Sequence, residues 1–279
     1  AVSLGMNPVQ AIKMATINTA KCYGLKHLGA ISPGFQADFV VLDNLQDLNV
    51  TDVFNKGKLV DRNAPIRVKT CGRALKHTVH LDKVKAEQFV LPIGKKKTHV
   101  IGINPSQITT EDLAVSLQPA ANYVPTDGYS KVAAVERHHN TGKIGVAVAK
   151  GYGIRNGAVA SSVSHDSHNI IVIGDNDRDM ALAVDEIIRT QGGYTVVENG
   201  EVFETLPLPI MGLMSDAGFE SVNETLGRMI KKAQQMGVPA HIEPFITLSF
   251  LALPVIPTLR ITPRGLCLLT AKGPEILQE

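Results

Sequence analysis

Between residues 88 and 173 the apolar residues come in short runs, each closed by Gly, Pro, Asn, Asp or Ser. The runs are Gln88–Pro92, His99–Ile103, Val132–Val135, Ile144–Val148, Ala158–Ser162 and Ile170–Ile173. Runs this short, bounded by turn formers, suit buried strands and are too brief for buried helices. After Asp175-Asn176-Asp177 the period changes. Met180, Ala183, Val184, Ile187 and Ile188 fall on one helical face, with Asp177 as the expected N-cap and Gly192-Gly193 as the stop. Tyr194–Glu198 and Glu201–Thr205 flank Asn199-Gly200, which supplies the positive φ angles of a tight hairpin turn. Ser221-x-x-Glu224 reads as a capping box for a second helix, with Leu226, Met229, Ile230, Ala233 and Met236 inward and Gly237 at its end. Ile246–Leu259 is apolar but interrupted by Pro254 and Pro257, and reads as loop and edge strand. The fold class this predicts is α/β, in the mixed α+β sense.

The first 64 residues have a different texture. Asn7 is a ready N-cap and Pro8 sits where a helix tolerates proline, so a helix is predicted over Pro8–Tyr23 with Gly24 as its stop. A turn at Gly29–Gly34, a strand over Ala37–Leu42, a turn at Asn55-Lys56-Gly57 and a strand at Lys58-Leu59-Val60 follow. The pattern then weakens, which places a boundary between a 1–64 domain and a 65–279 domain. A chain that opens at Ala1, just before a capped helix, reads as a C-terminal fragment of something longer.

Composition narrows the functional classes. Apolar residues at 44% can bury a core, and 28 Lys+Arg against 26 Asp+Glu leave +2, which argues against a strongly basic nucleic-acid binder. No apolar run is long enough for a membrane-spanning helix. Cys22, Cys71 and Cys267 are odd in number and form no C-x-x-C pattern, so neither a disulfide framework nor a Cys-based zinc site is expected. A reducing cytoplasm is the expected compartment.

Two clusters carry titratable chemistry. Glu136-Arg137-His138-His139-Asn140-Thr141-Gly142 leaves the strand Val132–Val135, and strand exits are where α/β proteins place their sites. A polar turn whose Asn140, Thr141 and Gly142 bond locally would look the same. Ser161–Asn169 holds His165, Asp166 and His168 between two apolar strands, and an acid between two imidazoles is the arrangement that orients a general base. A connector that merely satisfies its own backbone would carry the same residues.

Several longer segments resemble known families. Asn7–Thr16, Asn18-Thr19-Ala20, Gly24-Leu25, Gly29–Gly34 and Ala37–Leu42 are similar to the closing signature of metal-dependent amidohydrolases. Glu136–Gly142, Gly153–Ser161, Ser164–Asn169 and Leu206–Ser215 resemble the C-terminal domain of bacterial adenine deaminases, whereas Cys267–Pro274 departs from that pattern. The resemblance implies the end of a (β/α)8 barrel and a small β domain, then an α/β C-terminal domain. It implies conversion of adenine and water to hypoxanthine and ammonia, with Mn2+ held by residues absent from this sequence, so no metal ligand is expected here and the piece alone is expected to be inactive. His165, Asp166 and His168 become catalytic candidates, and Glu136, His138 and His139 substrate-binding candidates. The implied partner is a small purine, with neither nucleic acid nor membrane, in a full-length homo-oligomer. The alternatives are another amidohydrolase, such as a deacetylase or cyclic-amide hydrolase, and a non-catalytic scaffold.

Overall fold

Asn7 opens the first helix as its chemistry requires, its side-chain oxygen accepting from the Gln10 N–H at 3.2 Å. Helix α1 (Pro8–Lys13) passes through a π-turn at Met14–Asn18 into α2 (Thr19–Cys22), and Gly24 ends the run at φ 67°. The structure, a computed structural model, describes residues 1–64, 72–126 and 128–277. The expected boundary at 64/65 and Cys71 abut or fall within 65–71, outside the described residues. The chain divides into Ala1–Lys69 and Thr70–Glu279. In the first unit, β1 (Phe39–Leu42), β2 (Val50–Asn55) and β3 (Lys58–Leu59) form an antiparallel sheet in which the Phe39 and Phe54 rings stack at 4.6 Å.

The second unit is built on eight strands: β4 (Thr98–Ile103), β5 (Thr110–Val115), β6 (Tyr129–Val135), β7 (Ile144–Lys150), β8 (Gly157–Ser161), β9 (Ile170–Gly174), β10 (Gly193–Glu198) and β11 (Glu201–Pro207). Their order is β11-β10-β8-β9-β6-β7-β4-β5, antiparallel throughout except for β4 beside β7. Both β9 and β10 run antiparallel to β8, so α3 (Asp177–Thr190) is the crossover between two parallel strands that flank it. Strands such as β8 and β9 are buried at every residue because both faces of the sheet are covered, which is why they read as unbroken apolar runs. On one face, Met180, Val184 and Ile187 of α3 pack on Ala133, Ala160 and Val172. On the other, α4 (Phe219–Gln235) and α5 (Pro244–Leu251) bring Met229, Ala233, Phe245 and Leu248 onto Val159, Ile171 and Ile173. A closing sheet of β12 (Leu259–Thr262), β13 (Gly265–Thr270) and β14 (Gly273–Ile276) covers the rest with Leu259, Ile261 and Leu266.

Several local expectations are corrected. Gln88–Pro92 is not a strand: the Gln88 carboxamide accepts from the Lys85 N–H at 2.8 Å and closes a 3-10 turn over Ala86–Phe89. The N-cap of α3 is Asn176, whose Oδ1 accepts from the Asp179 N–H at 2.8 Å, one residue before Asp177. Helix α4 starts at Phe219, ahead of the Ser221 box. Pro244–Leu251 is helical, capped by the Glu243 carboxylate on the Ile246 N–H, because Pro244 occupies the first turn where it costs no hydrogen bond. Cys267–Pro274, which departs from the family pattern, lies in the β13–β14 hairpin. No described helix is long and apolar enough to cross a membrane.

The packing of α5 has a measurable consequence. Tyr194 stacks on Phe245 at 4.4 Å, and burial, helped by the Glu243 charge, pushes its phenol up to about 12. The folded state therefore holds this proton more tightly than the unfolded chain, whose phenol titrates near ~10. Stability from this group is whole below about pH 10 and is lost as pH rises through about 12. Tyr194→Phe is expected to flatten the fall of unfolding free energy over that range. Phenolate absorbance that rises in one step near ~10 for every tyrosine would contradict it.

Candidate functional site

Register fixes where the two polar loops go. Val135, the last residue of β6, pairs with both Ile144 and Ile170, and Ser161, the last of β8, pairs with Ile171. The loops after β6 and after β8 therefore leave the same end of the sheet from neighbouring hairpins.

In the first loop, Glu136 is committed to shaping the chain. One carboxylate oxygen accepts from the N–H groups of His138 and His139, the latter at 3.0 Å, and the other from the Thr141 N–H at 3.1 Å and hydroxyl at 3.0 Å. Burial works to raise its pKa, but those bonds together outweigh it and hold the carboxyl below its ordinary value. The His138 ring, half-buried, reaches the second loop through Nε2, 2.8 Å from the Ser167 carbonyl oxygen. His139 is exposed, its ring 6.3 Å from that of His138. It lines an open groove of about 390 Å³ with Glu136, Lys143, Arg264 and the β13–β14 hairpin.

The second loop is tied down from several sides. Ser162 Oγ donates to the Gly212 carbonyl at 2.6 Å and accepts from the Gly193 N–H at 2.8 Å. The His165 N–H donates to the Ser249 carbonyl at 3.1 Å, and the Ser249 hydroxyl donates to the Val163 carbonyl, so α5 backs the loop. His165 lies with its ring 5.1 Å from Phe250 and 6.3 Å from His168. Asp166 does not orient either imidazole: its side chain is 82% exposed and its Oδ1 stands 3.7 Å from His165 Nδ1, too far for a hydrogen bond.

The structure thus brings His138, His165 and His168 together, leaves His139 on the rim and Asp166 in solvent, and turns Glu136 inward on its own loop. Burial first, then the Arg137, His165 and His138 charges, push the His168 imidazole below its ordinary pKa against an opposing pull from Asp166. His168 is therefore neutral at neutral pH, able to accept or donate a hydrogen bond or to take a proton. The residue that sequence reasoning passed over is Arg137. It stands in the Glu136–Gly142 cluster without an assigned role, yet it is 1% exposed and lies between the two loops. Among the described residues no three His, Cys, Asp or Glu side chains are arranged to hold a metal ion. With both Glu136 oxygens already bonded to the loop, this donor set does not fit one.

Comparison with known proteins adds identity to this geometry. The adenine deaminase C-terminal domain matches residues 107–272, and the amidohydrolase family matches residues 1–60. The first match runs through Lys272, so most of the segment that departs from the resemblance, up to that residue, lies inside it. An adenine deaminase of Desulfitobacterium hafniense is 51% identical over 267 residues, which is 95% of this chain and 47% of that protein. One from Nitratidesulfovibrio vulgaris is 45% identical over 272 residues, and the adenine deaminase 2 of Latilactobacillus sakei 41% over 277, each covering 95% of this chain and 47% of the relative. The chain spans about half the length of the curated relatives it matches. A match that takes in both site loops, the α3 crossover, the Asn199-Gly200 hairpin and most of the closing sheet assigns the chain to the adenine deaminase C-terminal domain family.

Proposed function

We propose that this chain supplies the C-terminal part of an enzyme that converts adenine and water to hypoxanthine and ammonia. The observation that carries the reading is the convergence of His138, His165 and His168 at one end of the sheet, on two loops inside the matched domain. A purine edge alternates ring nitrogens and N–H groups, and imidazole nitrogens grouped beside Phe250 offer both acceptors and donors to it. In this reading His165 and His168 face the reacting ring, Asp166 and His139 contribute from the solvent side, and Glu136 acts by holding His138 and His139 in place. The amidohydrolase match implies a divalent metal, which supplies an activated water when bound. We take it to be Mn2+, held by residues other than those described here. The reading includes a cytoplasmic location and a homo-oligomeric full-length enzyme that acts on a small purine, not on nucleic acid.

The test replaces the matching half of the Desulfitobacterium hafniense relative with this chain and follows hypoxanthine formation from adenine with Mn2+ added. The chimera is expected to turn over and this chain alone is not. Changing His165 or His168 to Ala in the chimera is expected to lower kcat/KM by about 10²-fold, the scale of a lost proton-transfer or positioning group. A chimera that keeps full activity with His138, His165 and His168 all replaced by Ala would sink the reading.

A further inference from the structure

We infer that Arg137 is the positioning residue of the imidazole site, its guanidinium holding His168 in the left-handed backbone conformation that sets its ring beside His165. Arg137 is 1% exposed, and none of its hydrogen bonds among the described residues goes to a carboxylate. Nε donates to the His168 carbonyl, Nη1 to the Thr78 carbonyl at 2.9 Å and hydroxyl at 3.3 Å, and Nη2 to the Met211 carbonyl at 3.0 Å. A buried cation that no carboxylate hydrogen-bonds, with only the Glu136 charge nearby to offset its burial, is an expensive tether, and an apolar side chain would fill the same space at less cost. What it does bind is specific. His168 (φ 51°) and Met211 (φ 58°) are both bulky residues in the left-handed region, where side chains other than glycine are disfavoured. The carbonyl of each is an acceptor of the same guanidinium. Gly212 at φ 70° completes the cradle, for a Cβ there would lie 2.9 Å from Arg137 Cζ, Nη1 and Nη2.

The planar fork reaches two loops and the Met211 turn at once, which a lysine cannot do. Its charge also acts on His168, together with the His165, His138 and Asp166 groups around that ring. The geometry therefore couples backbone conformation and proton affinity of one imidazole to one buried side chain. This rests on the proposed function only for what His168 does to a purine, since the ring contact and the titration midpoint that decide it are read without substrate.

The experiment is NMR of the histidine rings in this chain, comparing parent, Arg137→Lys and Arg137→Met. In Arg137→Met the His168 titration midpoint is expected to rise by about half a pH unit or more, as a facing cation is lost. In Arg137→Lys the charge stays and the midpoint stays low, while the His165–His168 ring contact is lost with the fork. Gly212→Ala is the second probe, needed if Arg137→Met fails to fold. It leaves the charge in the protein but pushes the guanidinium off its acceptors, and is expected to lose the same ring contact. His168 signals and midpoint unchanged in Arg137→Met, or the ring contact intact in Gly212→Ala, would overturn the proposal. Loss of the ring contact alongside unaltered adenine turnover in the chimera would uphold Arg137 as the positioning residue and overturn only the assigned role of His168.

Discussion

Gly145→Ala is expected to cost about 3 kcal/mol or more and to lower the melting temperature by roughly 6–12 °C, at 2–4 °C per kcal/mol for a unit of this size. Gly145 lies in β7 opposite Ala134, directly beneath the turn between β12 and β13. A Cβ there would stand 2.0 Å from the Thr262 carbonyl oxygen and 2.7 Å from the Gly265 nitrogen. Both are backbone atoms of a tight hairpin, so no side chain can rotate away. Relief requires the closing sheet to lift, which opens the layer of Leu259, Ile261 and Leu266 to water. Gly227→Ala is the control. It sits on the exposed side of α4, where a Cβ meets nothing within 4 Å, and helix propensity predicts a gain of up to about 1 kcal/mol. Thermal melts of the two variants should move in opposite directions. A Gly145→Ala melt that stays with the parent would mean that the closing sheet does not rest on β7.

The same contrast explains which parts of the fold could be read in advance. Strands β6 to β9 and the Asn199-Gly200 hairpin declared themselves because their signals are local: buried runs, and two residues at φ 51° and 82°. Strand β5 did not, because as an edge strand it carries Glu111 and Asp112, and an exposed edge has no need of apolar alternation. Helix α5 was hidden for the opposite reason. It is apolar all round, so it has no face for a helical period to mark. At the site, residue types singled out both histidine loops. That they meet follows from the pairing of Val135 with Ile170, a contact between strands distant in sequence that no short window contains. Arg137 was lost to the same blindness, since its burial depends on Thr78 and Met211, each many residues away.

Lys131 gives a second large effect, through a role that local pattern assigned elsewhere. Asp177 is not the cap of α3; its carboxylate meets the Lys131 ammonium at 2.5 Å, with the lysine side chain 1% exposed. The other two ammonium protons go to the Phe89 carbonyl at 3.0 Å and Asn122 Oδ1 at 2.9 Å, and the Asn122 amide donates to Asp177 at 2.7 Å. Asp177→Ala strands a buried ammonium among neutral acceptors, and breaking a buried pair from one side costs about 3–5 kcal/mol. Lys131→Met leaves a partly exposed carboxylate that keeps the Asn122 amide and the helix N-terminus, and is expected to cost only about 2 kcal/mol. The double variant removes both charges together, so its cost should fall below the sum of the two by more than about 1 kcal/mol. Urea unfolding of the three variants measures this directly. Additive costs, or an Asp177→Ala milder than Lys131→Met, would mean that the pair contributes no stabilisation of its own and that Asp177 acts only on the first turn of α3.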